Sequence, residues 1–96
     1  MIISQLSIAP VGEGISLNKY VKIVLKILNE NNIKFKINDM ATIIETENLS
    51  QLFNIVEKAH NAVLESGAKR VITELKIDDR KDKNVKIGYK QNSVLK

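Results

Sequence analysis

The sequence predicts an α+β domain of the ferredoxin-like kind: a βαββαβ sandwich with a four-stranded antiparallel sheet, two helices on one face, and a short C-terminal helix or tail. Three observations predict it. Two segments carry apolar residues at helical spacing, while four shorter ones alternate with period two. Their order along the chain is strand, helix, strand, strand, helix, strand. Very few residues part the second strand from the third, so those two form a hairpin and pair antiparallel.

The first strand is Ile2 to Ala9, with Ile2, Leu6 and Ile8 on one side and Ile3, Gln5 and Ser7 on the other. Pro10, Gly12 and Gly14 break it. Ser16 is placed to cap the first helix, because its hydroxyl can accept an orphan amide of the first turn. Leu17, Tyr20, Val21, Val24, Leu25 and Leu28 then form an apolar stripe. Asn31-Asn32 is the stop, since Asn tolerates the left-handed conformation. Ile33, Phe35 and Ile37 alternate with Lys34, Lys36 and Asn38 in the second strand, and Thr42 to Thr46 is the third. Asn48 and Gln51 make a capping-box arrangement ahead of a second stripe of Leu52, Phe53, Val56, Ala59, Val63 and Leu64, with Gly67 as its stop. Val71, Thr73, Leu75 and Ile77 make the fourth strand. Beyond Asp82, the residues Val85, Ile87, Tyr89, Val94 and Leu95 suit a short helix packing on the domain or on a neighbour.

Right-handed crossovers put both helices on one face. The first and fourth strands are expected in the middle of the sheet. The shared core is expected to hold Leu6, Ile8, Val24, Leu28, Phe35, Val56, Val63 and Leu75. The opposite face would then carry Ile3, Gln5, Ser7, Ile43, Glu45, Ile72, Glu74 and Lys76. A wholly solvated face seldom carries three isoleucines, so the tail or another subunit is expected to cover part of it.

Totals narrow the class of function. The 96 residues make one domain, 1–96, with a modest core. There is no cysteine, which excludes a disulfide scaffold, a zinc knuckle and a thiol nucleophile. The opening MIISQLSIAP has no basic leader, and no apolar run approaches the ~18 residues of a membrane span. A cytoplasmic protein with no membrane partner is expected. The net charge is +4, an excess that suits an anion or nucleic acid but whose plain reading is a solvated lysine-rich surface. RNA binding on this fold needs stacking aromatics on the first and third strands. Those strands offer Gln5, Ser7, Ile43 and Glu45, and no nucleic-acid partner is expected.

Four local patterns have chemistry in them. The turn Pro10-x-Gly12-x-Gly14-x-Ser16 opens a helix, yet lacks the third glycine of a dinucleotide site and the Gly-Lys-Ser/Thr ending of a P-loop. His60, the single histidine, has no partner to share a metal, and a packed histidine is its plain reading. Asp78-Asp79-Arg80-Lys81-Asp82-Lys83 reads as a solvated strand end with local ion pairs. Asn38-x-Met40-x-Thr42-x-x-Glu45 sets polar groups beside a soft thioether, a mix suited to a small heteroaromatic ring. Asn and Thr are also ordinary hairpin residues.

In order, Pro10-x-Gly12-x-Gly14-x-Ser16-x-x-x-Tyr20, Asn38-x-Met40-x-Thr42-x-x-Glu45, His60, Arg70, Ile77-Asp78-x-Arg80-x-Asp82 and Lys90-x-x-Ser93-Val94 resemble the small thiamine-binding protein family over nearly the whole chain. Two departures are Thr46, where a glycine is common, and the short tail after Ser93. The resemblance implies a ferredoxin-like fold and a homo-oligomer, a tetramer of two dimers. It also implies binding of thiamine or its hydroxymethyl-pyrimidine moiety without turnover, with no catalytic residue, metal or further cofactor. Carried over, Ser16, Tyr20, Asn38, Met40, Thr42 and Glu45 are the candidate ligand residues. Asn38 and Thr42 would bond the aminopyrimidine, Tyr20 and Met40 would pack on the ring, and Glu45 would face the amino group or the thiazolium. The ligand would serve storage, delivery or regulation. The other readings are an enzyme acting on a thiamine precursor and a protein or nucleic-acid interaction module.

Overall fold

The computed structural model describes residues 1–12 and 18–95. The elements are β1 (Ile2–Pro10), α1 (Asn18–Glu30), β2 (Lys34–Ile37), β3 (Thr42–Thr46), α2 (Leu49–Glu65), β4 (Val71–Asp79) and α3 (Tyr89–Leu95). The four strands form one antiparallel sheet in the order β2-β3-β1-β4. The βαββαβ sandwich is thus the fold.

The strand order corrects one expectation: β3, not β4, sits beside β1 in the middle. Placing β4 there would send β2 and β3 to opposite edges and break the hairpin that the short link Asn38–Ala41 requires. Each βαβ arm instead skips a strand. β2 lies parallel to β1 with β3 between them, and β4 lies parallel to β3 with β1 between them. β4 also runs two residues past Ile77, because it pairs with β1 along its full length, from Pro10 opposite Val71 to Ile2 opposite Asp79.

The helix ends follow their residues. Asn32 takes a positive φ of 56°, and the chain turns so that Ile33 N donates to Leu28 O at 3.0 Å. At the start of α2, Asn48 Oδ1 accepts from Gln51 N at 2.8 Å, and Gln51 Oε1 accepts from Glu47 N at 2.7 Å. This is a reciprocal cap, shifted by one residue from the usual box. Gly67, at φ 117°, closes the helix in a conformation that a side chain disfavours. The Ser16 cap, together with Gly14 and Leu17, lies outside the described residues.

The core lies between the helices and the sheet. Leu6, Tyr20, Val24, Leu28, Ile44, Leu52, Ile55, Ala59 and Val63 are buried there, with Ile8, Phe35, Val56 and Leu75 half-buried at its margin. Val21, Phe53 and Leu64, expected in the stripes, are exposed. They sit off the contact line, and Ile23, Ile27 and Ile55 take those places. His60 Nδ1 lies 2.6 Å from Thr73 Oγ1 and ties α2 to β4. The single histidine is a packed, hydrogen-bonded one.

Candidate functional site

The register fixes what the sheet shows on its other face. Ile2, Ser4 and Leu6 are buried toward the helices, so Ile3, Gln5 and Ser7 point away from them. Ile3 stands opposite Glu45 and Asp78, and Gln5 opposite Ile43 and Lys76. Lys34 and Lys36 of β2 pair with Glu45 and Ile43 and complete the band.

The chain returns over this band after β4. Arg80 Nε and Nη2 donate to the two carboxylate oxygens of Asp82 at 3.0 and 2.6 Å and hold the reversal. That hydrogen bond keeps the Asp82 carboxyl below the ordinary carboxylate range and raises the Arg80 guanidinium. Residues 83–88 then cross the sheet as a strap. Val85, within it, is buried. The N-terminal ammonium donates to Asn84 Oδ1 at 2.6 Å. Ile87 N donates to Glu45 Oε1 at 2.9 Å, and Lys36 Nζ donates to Gln91 Oε1 at 3.2 Å. Gly88, at φ 94°, turns the strap into α3. The glycine therefore lies just ahead of the helix, outside it.

Between sheet and strap lies a cleft of about 310 Å³, at the small end of the range for ligand sites. Ile3, Ile43, Val85 and Ile87 give it apolar walls, and Tyr89 contributes an aromatic ring. Lys83 Nζ donates to the Tyr89 hydroxyl at 2.8 Å and lies 5.4 Å from the ring centre. This lowers the Tyr89 ionisation below the usual tyrosine range and holds the ring in place. Asn38, Lys36, Asp78, Arg80, Lys86 and Lys90 supply the polar rim. A second depression, between the end of α1 and α2, is lined by Glu30, Asn31, Lys58, Asn61 and Glu65 with little apolar surface. The strap cleft is the better match to a flat organic ligand, because it joins apolar walls to a few polar groups.

The six sequence candidates do not come together. Asn38 lines the cleft, though its Oδ1 accepts from Met40 N and Ala41 N at 2.9 and 2.8 Å as an ordinary turn. Its amide nitrogen is what it can offer a ligand. Glu45 is buried on the same face and anchors the strap through Ile87. Met40 is 86% exposed at the hairpin tip. Tyr20 belongs to the core between helices and sheet. Thr42 is buried opposite Leu6, on the helix side. Tyr20 and Thr42 are therefore separated from the cleft by the sheet itself. Ser16 lies outside the described residues. Sequence reasoning missed Lys36, Arg80, Lys86 and Tyr89. The available signal was the set of apolar residues Val85, Ile87 and Tyr89 in an otherwise charged and polar tail. Among the described residues, no three His, Asp or Glu side chains gather as a metal site, and no helix is long and apolar enough to cross a membrane.

Comparison with known proteins matches residues 4–95 to the family described as thiamine-binding protein. A UPF0045 protein of Methanothermobacter thermautotrophicus is 40% identical over 95 residues, 98% of this chain and 96% of that one. The UPF0045 protein YqgV of Bacillus subtilis is 41% identical over 101 residues, 100% of this chain and 96% of that one. Among solved structures, a hypothetical protein of Methanocaldococcus jannaschii superposes with a TM-score of 0.87 at 34% identity, covering 97% of this chain and 94% of that one. A candidate thiamine biosynthesis/salvage protein of Thermotoga maritima gives a TM-score of 0.82 at 18% identity, with 97% of each chain covered. At that identity the second likeness speaks to the fold.

Proposed function

The chain belongs to the thiamine-binding protein family, and from that premise we propose that it binds thiamine, or the hydroxymethyl-pyrimidine part of it, reversibly and without turnover in the strap cleft. The observation that carries this reading is the cleft itself: apolar walls from Ile3, Ile43, Val85 and Ile87, an aromatic ring at Tyr89, and about 310 Å³ of space. Such a volume fits one heterocyclic ligand and not a dinucleotide. The pyrimidine lies against the isoleucines and Tyr89. Asn38 donates to a ring nitrogen, and Asp78 accepts from the exocyclic amine. Glu45 holds the strap closed over the ring.

Turnover has little to work with. The sequence has no cysteine, and its one histidine is tied to Thr73 on the helix side of the sheet. The protein acts in the cytoplasm as a homo-oligomer, a tetramer of two dimers, that stores, delivers or senses its ligand. Calorimetry with thiamine and with the free pyrimidine alcohol tests the reading. Saturable heat with one site per chain, and ligand recovered at unchanged mass, is the expected result. No heat from either ligand on the folded protein refutes it.

A further inference from the structure

We propose that the strap cleft takes its ligand as a phosphate or diphosphate ester in preference to the free alcohol, with the ring inside and the phosphate at the basic mouth; this rests on the binding reading above. Free thiamine is a permanent cation. Four cationic side chains line the cleft, Lys36, Arg80, Lys86 and Lys90, against the single carboxylate of Asp78. Even with Asp82, which pairs with Arg80, and Glu45, which accepts from Ile87 N, the four cations outnumber the carboxylates, and a cation entering this mouth meets net repulsion. An ester with a net negative charge meets attraction.

The four bases differ in how free they are to serve. Arg80 is engaged by both oxygens of Asp82, and Lys36 donates to Gln91. Lys86 and Lys90 flank Ile87, Gly88 and Tyr89, the strap segment that also lines the cleft. Both side chains are exposed and make no ion pair among the described residues. They are the two bases with neither an ion-pair partner nor a side-chain hydrogen bond among the described residues, and they sit on either side of the strap-to-helix turn. Phosphate oxygens accept several charge-assisted hydrogen bonds at once, which a pair of lysines on short neighbouring segments can donate. Lys36 and Arg80 complete the positive field from the sheet side.

Titration calorimetry with the full chain compares thiamine, thiamine monophosphate, thiamine diphosphate and inorganic pyrophosphate. The diphosphate is expected to bind about tenfold or more tightly than thiamine at low salt, with that margin shrinking as KCl rises. In the double variant Lys86→Ala/Lys90→Ala the preference for ester over alcohol falls to under about threefold. Lys22→Ala, an exposed change on α1, leaves the preference as it was. Thiamine binding as tightly as its diphosphate overturns the inference and leaves the binding reading standing. Pyrophosphate binding as tightly as the ester also overturns it, since the ring would then contribute nothing. If no member of the series binds, the binding reading fails and the inference fails with it.

Discussion

Glu45 is the hinge pin of the cleft, and cutting it gives a local effect of calculable size. The residue is 6% exposed, and its carboxylate accepts from Ile87 N at 2.9 Å, across 42 residues of sequence. A hydrogen bond to a charged group contributes roughly 1.5–3 kcal/mol net. Removing the carboxylate also removes the cost of having buried it, which offsets part of that figure. Glu45→Ala should therefore weaken strap closure by about 1.5 kcal/mol, or tenfold in the opening equilibrium. Glu45→Gln keeps a neutral acceptor and should lose about half as much. The assay is hydrogen exchange at the Ile87 amide, with Ile44 in the core as internal reference. The expected result is exchange at Ile87 about tenfold faster in the alanine variant, with Ile44 unchanged. Equal protection of Ile87 in all three proteins would show that this bond does not hold the strap, and the cleft would lose its closing device.

Leu28→Ala, at a fully buried position in α1, should cost ~2–5 kcal/mol in urea unfolding; a loss below ~1 kcal/mol would mean that the helix face is misassigned. Asn48→Ala removes the acceptor of the Gln51 amide and should cost ~1 kcal/mol by the same measurement. Lys83→Ala removes the hydrogen bond that depresses Tyr89, so NMR titration should find the Tyr89 phenol ionising at higher pH in the variant. Light scattering at micromolar concentration should return a multiple of the chain mass, with four chains expected; the monomer mass would reject the oligomer.

Much of the fold was legible because each element has a local cause. Alternation at Ile2 to Ile8 and in the third strand set the faces of the two central strands. Asn48, Gln51, Asn32 and Gly67 punctuate the helices where their side chains or lack of one allow. Strand order was misread because the position of β4 rests on long-range pairing with β1; the local hairpin, which keeps β2 beside β3, already rules out β1 and β4 as the two middle strands. Phe53 and Val21 were misread because an apolar side chain one step off a helical stripe looks alike in sequence whether it packs or faces solvent.

The site was harder to read. Asn38 and Glu45 fall at the strap cleft, and polar residues on a hairpin draw notice in a sequence. Thr42 shares that hairpin but faces the helices, and Tyr20 packs from α1 into the core on the same side; spacing in sequence does not say which side of a sheet a residue shares with a ligand. The mouth of the cleft comes from the tail. Its lysines read as ordinary solvated charge until the strap folds back over Ile3 and Ile43.

The central claim is that a thiamine-type ring occupies the space between sheet and strap. Isoleucine methyl NMR tests it most directly, because the chain places reporters on both sides of the sheet. Ile3, Ile43 and Ile87 line the cleft, while Ile23, Ile27 and Ile55 pack on the helix side. Adding thiamine or its diphosphate should shift the methyl signals of the first three, saturably and together, and leave the second three in place. Shifts confined to Ile23, Ile27 and Ile55, or no shift at any isoleucine at saturating ligand, would contradict the account.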